Sequence, residues 1–267
     1  MMGPSHALSG AAGWLAGSLA LDRFAGYDQS PMTVAVGTAV CAGAALFPDL
    51  DLSGRVTRNR GGATVARTFG VASLFVAEVI EKLSLIIYTA TRTAADPHRT
   101  NGHRTFTHTV PFAALAGAGA TALCTRYGKW AVIGVLFVMI GLALRGLFDG
   151  WARRAGWVTV TLLSALGALL TFLHLPGDRG YPMVGLAVGA GCLVHVFGDL
   201  LTRHGAPIFW PVRVGGRRWR MIGIPDRFAL RAGGVLEVIV LRGVFTIVAT
   251  LAATVLLAPA VLLSFAP

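Results

Sequence analysis

Charge is what this sequence has least of. Asp, Glu, Lys and Arg supply 13% of its 267 residues, against about 25% in soluble domains. That shortage excludes an ordinary water-soluble fold, which needs charge to cover its surface. Acids are scarcer than bases, 12 against 23, which leaves a net charge of +11. Cysteine is rare as well. Cys41, Cys124 and Cys192 each lie inside an apolar run, so neither a disulfide framework nor a CxxC zinc site is implied. Repeats and low-complexity tracts are lacking, which removes solenoids and arrays. The first apolar run has no basic leader before it and is read as a retained helix, not a secretory signal.

What the chain has is apolar length. Hydrophobic residues make up 55% of it and mean hydropathy is +0.68. They gather into runs at 7–21, 31–48, 107–124, 130–149, 156–175, 181–202 and 236–263, long enough to cross or nearly cross a bilayer. The sequence predicts an all-α polytopic membrane helical bundle of about seven spans, one integral-membrane domain over 1–267. Segment 64–92 is apolar enough to touch lipid, yet carries Arg67, Glu78, Glu81 and Lys82. It is read as an interfacial or re-entrant helix. Residues 52–106 and 203–235 then become insertions on one side of the membrane. Within the second, Phe209–Val214, Gly215-Gly216 and Arg217–Ile222 read as a small hairpin around a Gly-Gly turn. Its arginines and tryptophans suit a platform against lipid phosphates.

Keeping 64–92 on one side has a consequence for the polar residues. His6, Asp49, Asp51, His103, His108, His195, Asp199 and Glu237 all fall at the same face of the membrane. Outside the spans that face collects seventeen Lys and Arg, from Arg55 to Arg231, against four (Arg23, Arg126, Lys129 and Arg179) on the other. By the positive-inside rule it is cytoplasmic. Membrane lipids account for this positive charge, and no nucleic-acid partner is expected.

Each polar cluster is ambiguous alone. His195 and Asp199 are four apart, one helical turn. They can share an ion, or simply join helices through a hydrogen bond. Asp49 and Asp51 flank one leucine at a span's end, where the helix dipole disfavours acid unless a cation is near. A plain loop cap has the same pattern. A turn leading into a helix at Thr107 or His108 would aim His103 and His108 into one pocket. Arg104 and Thr202 are candidate donors to phosphate oxygens. Arg145 and Asp149, four apart, read as an intrahelical ion pair. Glu237 opens the last span after Gly233-Gly234, as a general base, a ligand or only a favourable first-turn acid. Together, four imidazoles and three aspartates at one boundary point to bound metal. The set His6, Asp49, Asp51, His103, His108, His195 and Asp199 suits one or two Zn²⁺, with Mn²⁺ or Fe²⁺ as alternatives.

The ordered motifs are His6, Pro48-Asp49-Leu50-Asp51, His103-Arg104-Thr105-x-Thr107-His108 and His195-x-x-x-Asp199-x-x-Thr202-x-x-Gly205, followed by Pro211. In combination they resemble the LexA-regulated, membrane-bound metal-dependent hydrolase family over residues 6–240. The resemblance implies a bacterial inner-membrane protein with hydrolase activity and a remote likeness to zinc-dependent phospholipase C. It names no substrate. The chain departs from the pattern in its charged 52–102 insert and its Arg-rich hairpin.

The expected function is hydrolysis of a phosphoester, or an ester, of a lipid or other membrane-associated anionic substrate. Metal-activated water would attack, Asp49 or Asp51 would bridge metals or accept the proton, and Arg104 would hold the anion. Two other classes stay open. One is a transporter or channel with a His/Asp ion path, the other a non-catalytic metal-binding scaffold or sensor. Oligomeric state is not encoded in any of these features.

Overall fold

The computed structural model describes residues 1–52, 65–175 and 181–264, with 258–264 as backbone alone. Arg55, Arg58, Arg60 and Arg179, counted above toward the charge asymmetry, lie outside the described residues. The helices are α1 (Gly3–Ala25), α2 (Pro31–Ala44), α3 (Gly70–Thr91), α4 (Val110–Tyr127), α5 (Lys129–Leu147), α6 (Asp149–His174), α7 (Pro182–Leu200) and α8 (Arg242–Ser264). A π-helical turn over Leu236–Leu241 leads into α8. Proline at the first or second position starts α1, α2, α4 and α7, where its missing N–H would be unpaired anyway. Ser30 and Thr109 cap α2 and α4 by accepting from Thr33 N and Phe112 N, both at 3.2 Å.

All helices but α3 form the bundle. α1 runs against α2, with Gly10 beside Cys41 and Ala45 and Gly37 beside Trp14. α2 and α7 run in the same direction, with Gly191 of α7 against Cys41 and Ala44. α4 packs along α7, and α5 packs against both α2 and α6. α8 lies beside α1, so Leu15, Val34 and Ala252 form one buried cluster. The directions alternate so that α1 begins, α2 ends, α5 ends, α7 ends and α8 begins at one common end of the molecule.

The packing is inside out relative to a soluble protein. On α6, Val160, Ser164 and Ala168 are buried, while Leu162, Leu166, Leu169 and Leu173 are exposed. On the last helix Ile247 and Leu251 are exposed. Large apolar side chains facing outward have lipid as their solvent, and small residues let helix backbones approach. Among the described residues, five helical stretches are long and apolar enough to span: Pro31–Asp51, α5, α6, α7 and Leu236–Leu257. The expected seven included α1 and α4, and these two fall short. Ser5, His6, Ser9, Ser18, Asp22 and Arg23 dilute α1, while Gly, Thr and Arg126 dilute α4. Both nonetheless run along the spans.

The α3 helix behaves as the charged segment 64–92 suggested. Its main contacts are with the short turns Pro48–Asp51, Val65–Arg67 and Phe106–His108 at one end of the bundle. Ser73, Ala77, Ser84 and Tyr88 face inward, and Val71, Phe75, Leu83 and Ile86 face outward. Among the described residues, α3 is not one of the helices apolar enough to span.

The expected hairpin is only partly present. Gly215 and Gly216 have φ of 58° and 79°, and Val214 bridges Arg217, so the tight turn is there. No strand follows among the described residues, because Pro207 and Pro211 cannot donate to a ladder. Aromatic stacking holds the segment instead. Phe112, Phe106, Trp210, Trp219 and Tyr88 form a continuous row with centroids 5.1–5.5 Å apart. Trp219 is therefore buried rather than turned toward lipid. Asp96 pins the same segment, accepting from Thr93 N at 2.7 Å, Thr93 Oγ1 at 2.9 Å, Arg218 N at 3.3 Å and Trp219 N at 3.0 Å. Burial opposes its charge, but these donors outweigh burial and hold the carboxyl below the usual carboxylate range.

Two outcomes follow. A Cβ on Gly43 would stand 2.0 Å from the Met139 carbonyl oxygen, whereas one on Gly119 meets nothing within 4 Å. Thermal unfolding in detergent should show Gly43→Ala destabilised by about 1–3 kcal/mol and Gly119→Ala unchanged within about 0.5 kcal/mol. Because the Asp96 value is depressed, its contribution is complete above the ordinary carboxylate range and is lost as pH falls through the depressed value. Hydrogen exchange at Thr93 and Trp219, corrected for intrinsic rate, should rise in that acid window and lose this pH dependence in Asp96→Asn.

Candidate metal centre

The polar residues meet where α1 begins and α2 and α7 end. The α2 helix stops at Ala44, which leaves the Ala45 carbonyl without a helical donor. His195, one turn from the end of α7, places Nδ1 2.8 Å from that oxygen. A carbonyl only accepts, so Nδ1 carries the proton and Nε2 keeps its lone pair. Asp49 follows α2 in the turn Pro48–Asp51, and Asp199 sits on α7 one turn after His195. His108 ends the turn Phe106–His108, just before Thr109 caps α4.

The Nε2 atoms of His6, His108 and His195 are buried and have no hydrogen-bond partner. Carboxylate oxygens surround them just beyond bonding distance. His108 Nε2 is 3.5 Å from Asp49 Oδ1 and 3.6 Å from Asp199 Oδ2. His195 Nε2 is 3.7 Å from each of the same two oxygens. His6 Nε2 lies 3.4 Å from Asp199 Oδ1. Most of these separations are too long for good hydrogen bonds. They suit atoms sharing an ion, since tetrahedral bonds of about 2.0–2.2 Å put ligand atoms about 3.3–3.6 Å apart. Ligating atoms of Asp49, Asp51, His103 and His108 lie within 4.8 Å of one another, as do those of His6, His195 and Asp199. The structure thus brings together all seven of the histidines and aspartates singled out as ligands.

Their positions differ, however. Asp51 is fully buried and occupied. Oδ1 meets His103 Nδ1 at 2.7 Å, while Oδ2 accepts from Thr107 Oγ1 at 2.6 Å and Arg104 N at 3.2 Å. It stands behind His108, 3.3 Å from Nδ1, and orients that ring. Arg104 adopts φ of 56°, in the left-handed region that a non-glycine residue rarely takes. Its guanidinium donates to Asp199 Oδ1 and the Gly205 carbonyl, both at 3.1 Å. The expected anion-holding arginine is therefore engaged with the protein. Thr202 is turned inward as well, donating to the Asp199 carbonyl at 2.8 Å. Glu237 is buried outside both groups of ligands, and accepts from Met2 N at 2.7 Å and Gly233 N at 2.9 Å. Asp149 pairs with Arg153, not Arg145, because the helix breaks at Phe148 and residues 145 and 149 no longer share a face.

Electrostatics argue in the same direction as distance. Asp49, Asp51 and Asp199 bring three carboxylates into a space with little water, and Asp49 and Asp199 both lie at helix C-terminal ends. Arg104 offsets one of them, and the Met1 nitrogen lies 2.7 Å from Asp199 Oδ1. Burial alone would lower the His108 imidazole, yet Asp51 foremost, with Asp49 and Asp199, pushes it up to about 9. The carboxylates demand positive charge at this point, from a proton or from an ion in its place.

The sequence profile of the YdjM inner membrane protein family matches residues 1–266. No curated protein and no solved structure matches the chain.

Ion binding should register as stability, since a ligand bound by the folded state stabilises it. Adding Zn²⁺ or Mn²⁺ to chelator-stripped protein should raise the melting temperature, and EDTA should reverse the rise. The increment should vanish in His195→Ala while Glu237→Gln retains it.

Proposed function

We propose that this chain, which belongs to the YdjM inner membrane protein family, is a metal-dependent hydrolase of membrane-associated phosphoesters. The supporting observation is the convergence of three unpartnered, buried imidazole Nε2 atoms on the Asp49 and Asp199 oxygens. His108, His195, Asp49 and Asp199 would hold one divalent ion, with His6 beside Asp199. Such an ion supplies a water acidified toward neutrality and polarises a phosphoryl oxygen.

The remaining residues hold the site and move protons. Asp51 fixes His103 through Nδ1, and the His103 side chain is 24% exposed. Its outer nitrogen is placed to exchange a proton with solvent, an imidazole steered by a carboxylate. This assigns the proton-handling role to His103 rather than to Asp49 or Asp51. Arg104 ties Asp199 to the Thr202–Gly205 segment and so keeps α7 in register with the 103–108 turn. The Lys and Arg excess at this end supports a cytoplasmic orientation of the site under the positive-inside rule. An ion path would need polar groups through the depth of the spans, whereas the described core there is apolar or small. One centre accounts for the ligands, and the doubly engaged Asp51 gives a second ion little support.

Metal analysis of the purified protein should find a transition metal, absent from His108→Ala and Asp199→Ala. Phosphate or headgroup release from a lipid panel should stop with chelator and return with metal. His103→Ala should keep the metal and lower kcat by about 10²–10⁴-fold. Metal-free wild-type protein, or turnover indifferent to chelator, would remove this reading.

A further inference from the structure

Arg145 lies two residues from the C-terminal end of α5, where the helix dipole welcomes a cation. It is nonetheless 7% exposed, and its Nε has no hydrogen-bond partner. Asp149, the nearest acid in sequence, is turned to Arg153. A buried guanidinium keeps five donors to satisfy, and leaving one unpaired is strongly unfavourable. Arg145 lines a cavity of about 240 Å³ whose wall also includes Asp49, Leu46, Leu52, Asp149 and Arg153. The Asp49 side chain is 14% exposed, while His6, His108, His195 and Asp199 are almost wholly buried. The cavity is therefore an approach to the metal centre past Asp49. Arg67 and Arg153 are near enough to add to the field at Arg145, opposed there by Asp149, which is paired with Arg153, while Asp49 is the second carboxylate on the wall.

We propose that this cavity is the anion subsite of the centre, in which Arg145 donates to the oxygens of a phosphate ester lying beside Asp49. The assignment rests on the hydrolase reading and names the group the substrate must carry. Arg104 cannot take this role freely, being held by Asp199 and Gly205. Among the described residues that line this cavity, Arg145 is a cation with an unpartnered buried donor. The volume is below the about 300–1,000 Å³ of sites for drug-sized ligands, so it admits a phosphate with a small polar appendage. A soluble phosphomonoester and a lipid headgroup share that chemistry. Guanidinium geometry favours the phosphate over a carbonyl ester, because planar paired donors match two phosphate oxygens.

The test is titration calorimetry on the metal-loaded full chain in detergent, with inorganic phosphate as probe. Wild type should bind it saturably, and Arg145→Gln should weaken binding about tenfold or more, with Arg145→Lys in between. Arg145→Gln should keep its metal and melt no lower than wild type, since it removes an unpaired buried charge. Undiminished phosphate binding by Arg145→Gln would overturn the subsite, as would loss of metal and stability in that variant. Glycerol phosphate in solution and phosphatidic acid in phosphatidylcholine nanodiscs separate the two sources. Arg145-dependent binding of either supports the subsite, and binding of neither overturns it. A wild-type protein without metal that still binds phosphate through Arg145 would sink the hydrolase reading and leave the subsite standing.

Discussion

A carboxylate withdrawn from water must find positive charge, and at one end of this bundle three must do so within a few ångströms. The rest of the local architecture can be read as the answer. Arg104 adopts a left-handed backbone conformation and reaches Asp199, Asp51 is surrounded by donors, and buried imidazole nitrogens without hydrogen-bond partners are left facing Asp49 and Asp199. Hydrogen bonds satisfy Asp51 completely. They do not satisfy the Asp49–His108–Asp199–His195 ring, which alternates imidazole and carboxylate at 3.5–3.7 Å, a spacing that fits a shared ion. The demarcation between supporting and ligating residues thus comes from which atoms already have partners.

Precise placement of such a ring needs stiff supports, and the bundle provides them through close backbone approach. Gly43 and Gly191 bring α5 and α7 tight against α2, which sets the Ala45 carbonyl where His195 can reach it. On the outer side, the aromatic row from Phe112 to Tyr88 ties the turn that carries His108 to α3 and to the 205–222 segment. Apolar bulk points outward along α3, α6 and α8. The protein is thereby wedged in lipid by large side chains and held to itself by small ones.

Much of this was legible in the sequence. Apolar run length gave the helices, and the three charges grouped at 78–82 set α3 apart from the spans, because a spanning helix could not carry them cheaply. The gathering of these His and Asp residues at one end followed from their recurrence at run boundaries. What the sequence could not convey was occupancy. His195 and Asp199 look alike whether they bond each other or share an ion, and only the Ala45 carbonyl settles which ring nitrogen is free. Arg104 looked available for substrate and Glu237 for catalysis or metal, but Asp199 and Gly205 engage the one and Met2 and Gly233 the other. The Arg145–Asp149 pairing failed for a local reason, a helix break at Phe148 that spacing alone does not announce. The count of seven spans overreached because helices packed among others need not be apolar throughout, as α1 and α4 illustrate.

The ligands come from widely separated stretches: residue 6, residue 49, residue 108, and the pair 195 and 199. During synthesis and insertion, no emerging portion short of α7 holds more than a fraction of them. A nascent chain presents only scattered members of the set until its penultimate helix docks on α2. Capture of an ion by this set would in this way be late and nearly all-or-none. A product truncated before α7 would lack both His195 and Asp199 and so would never assemble the set.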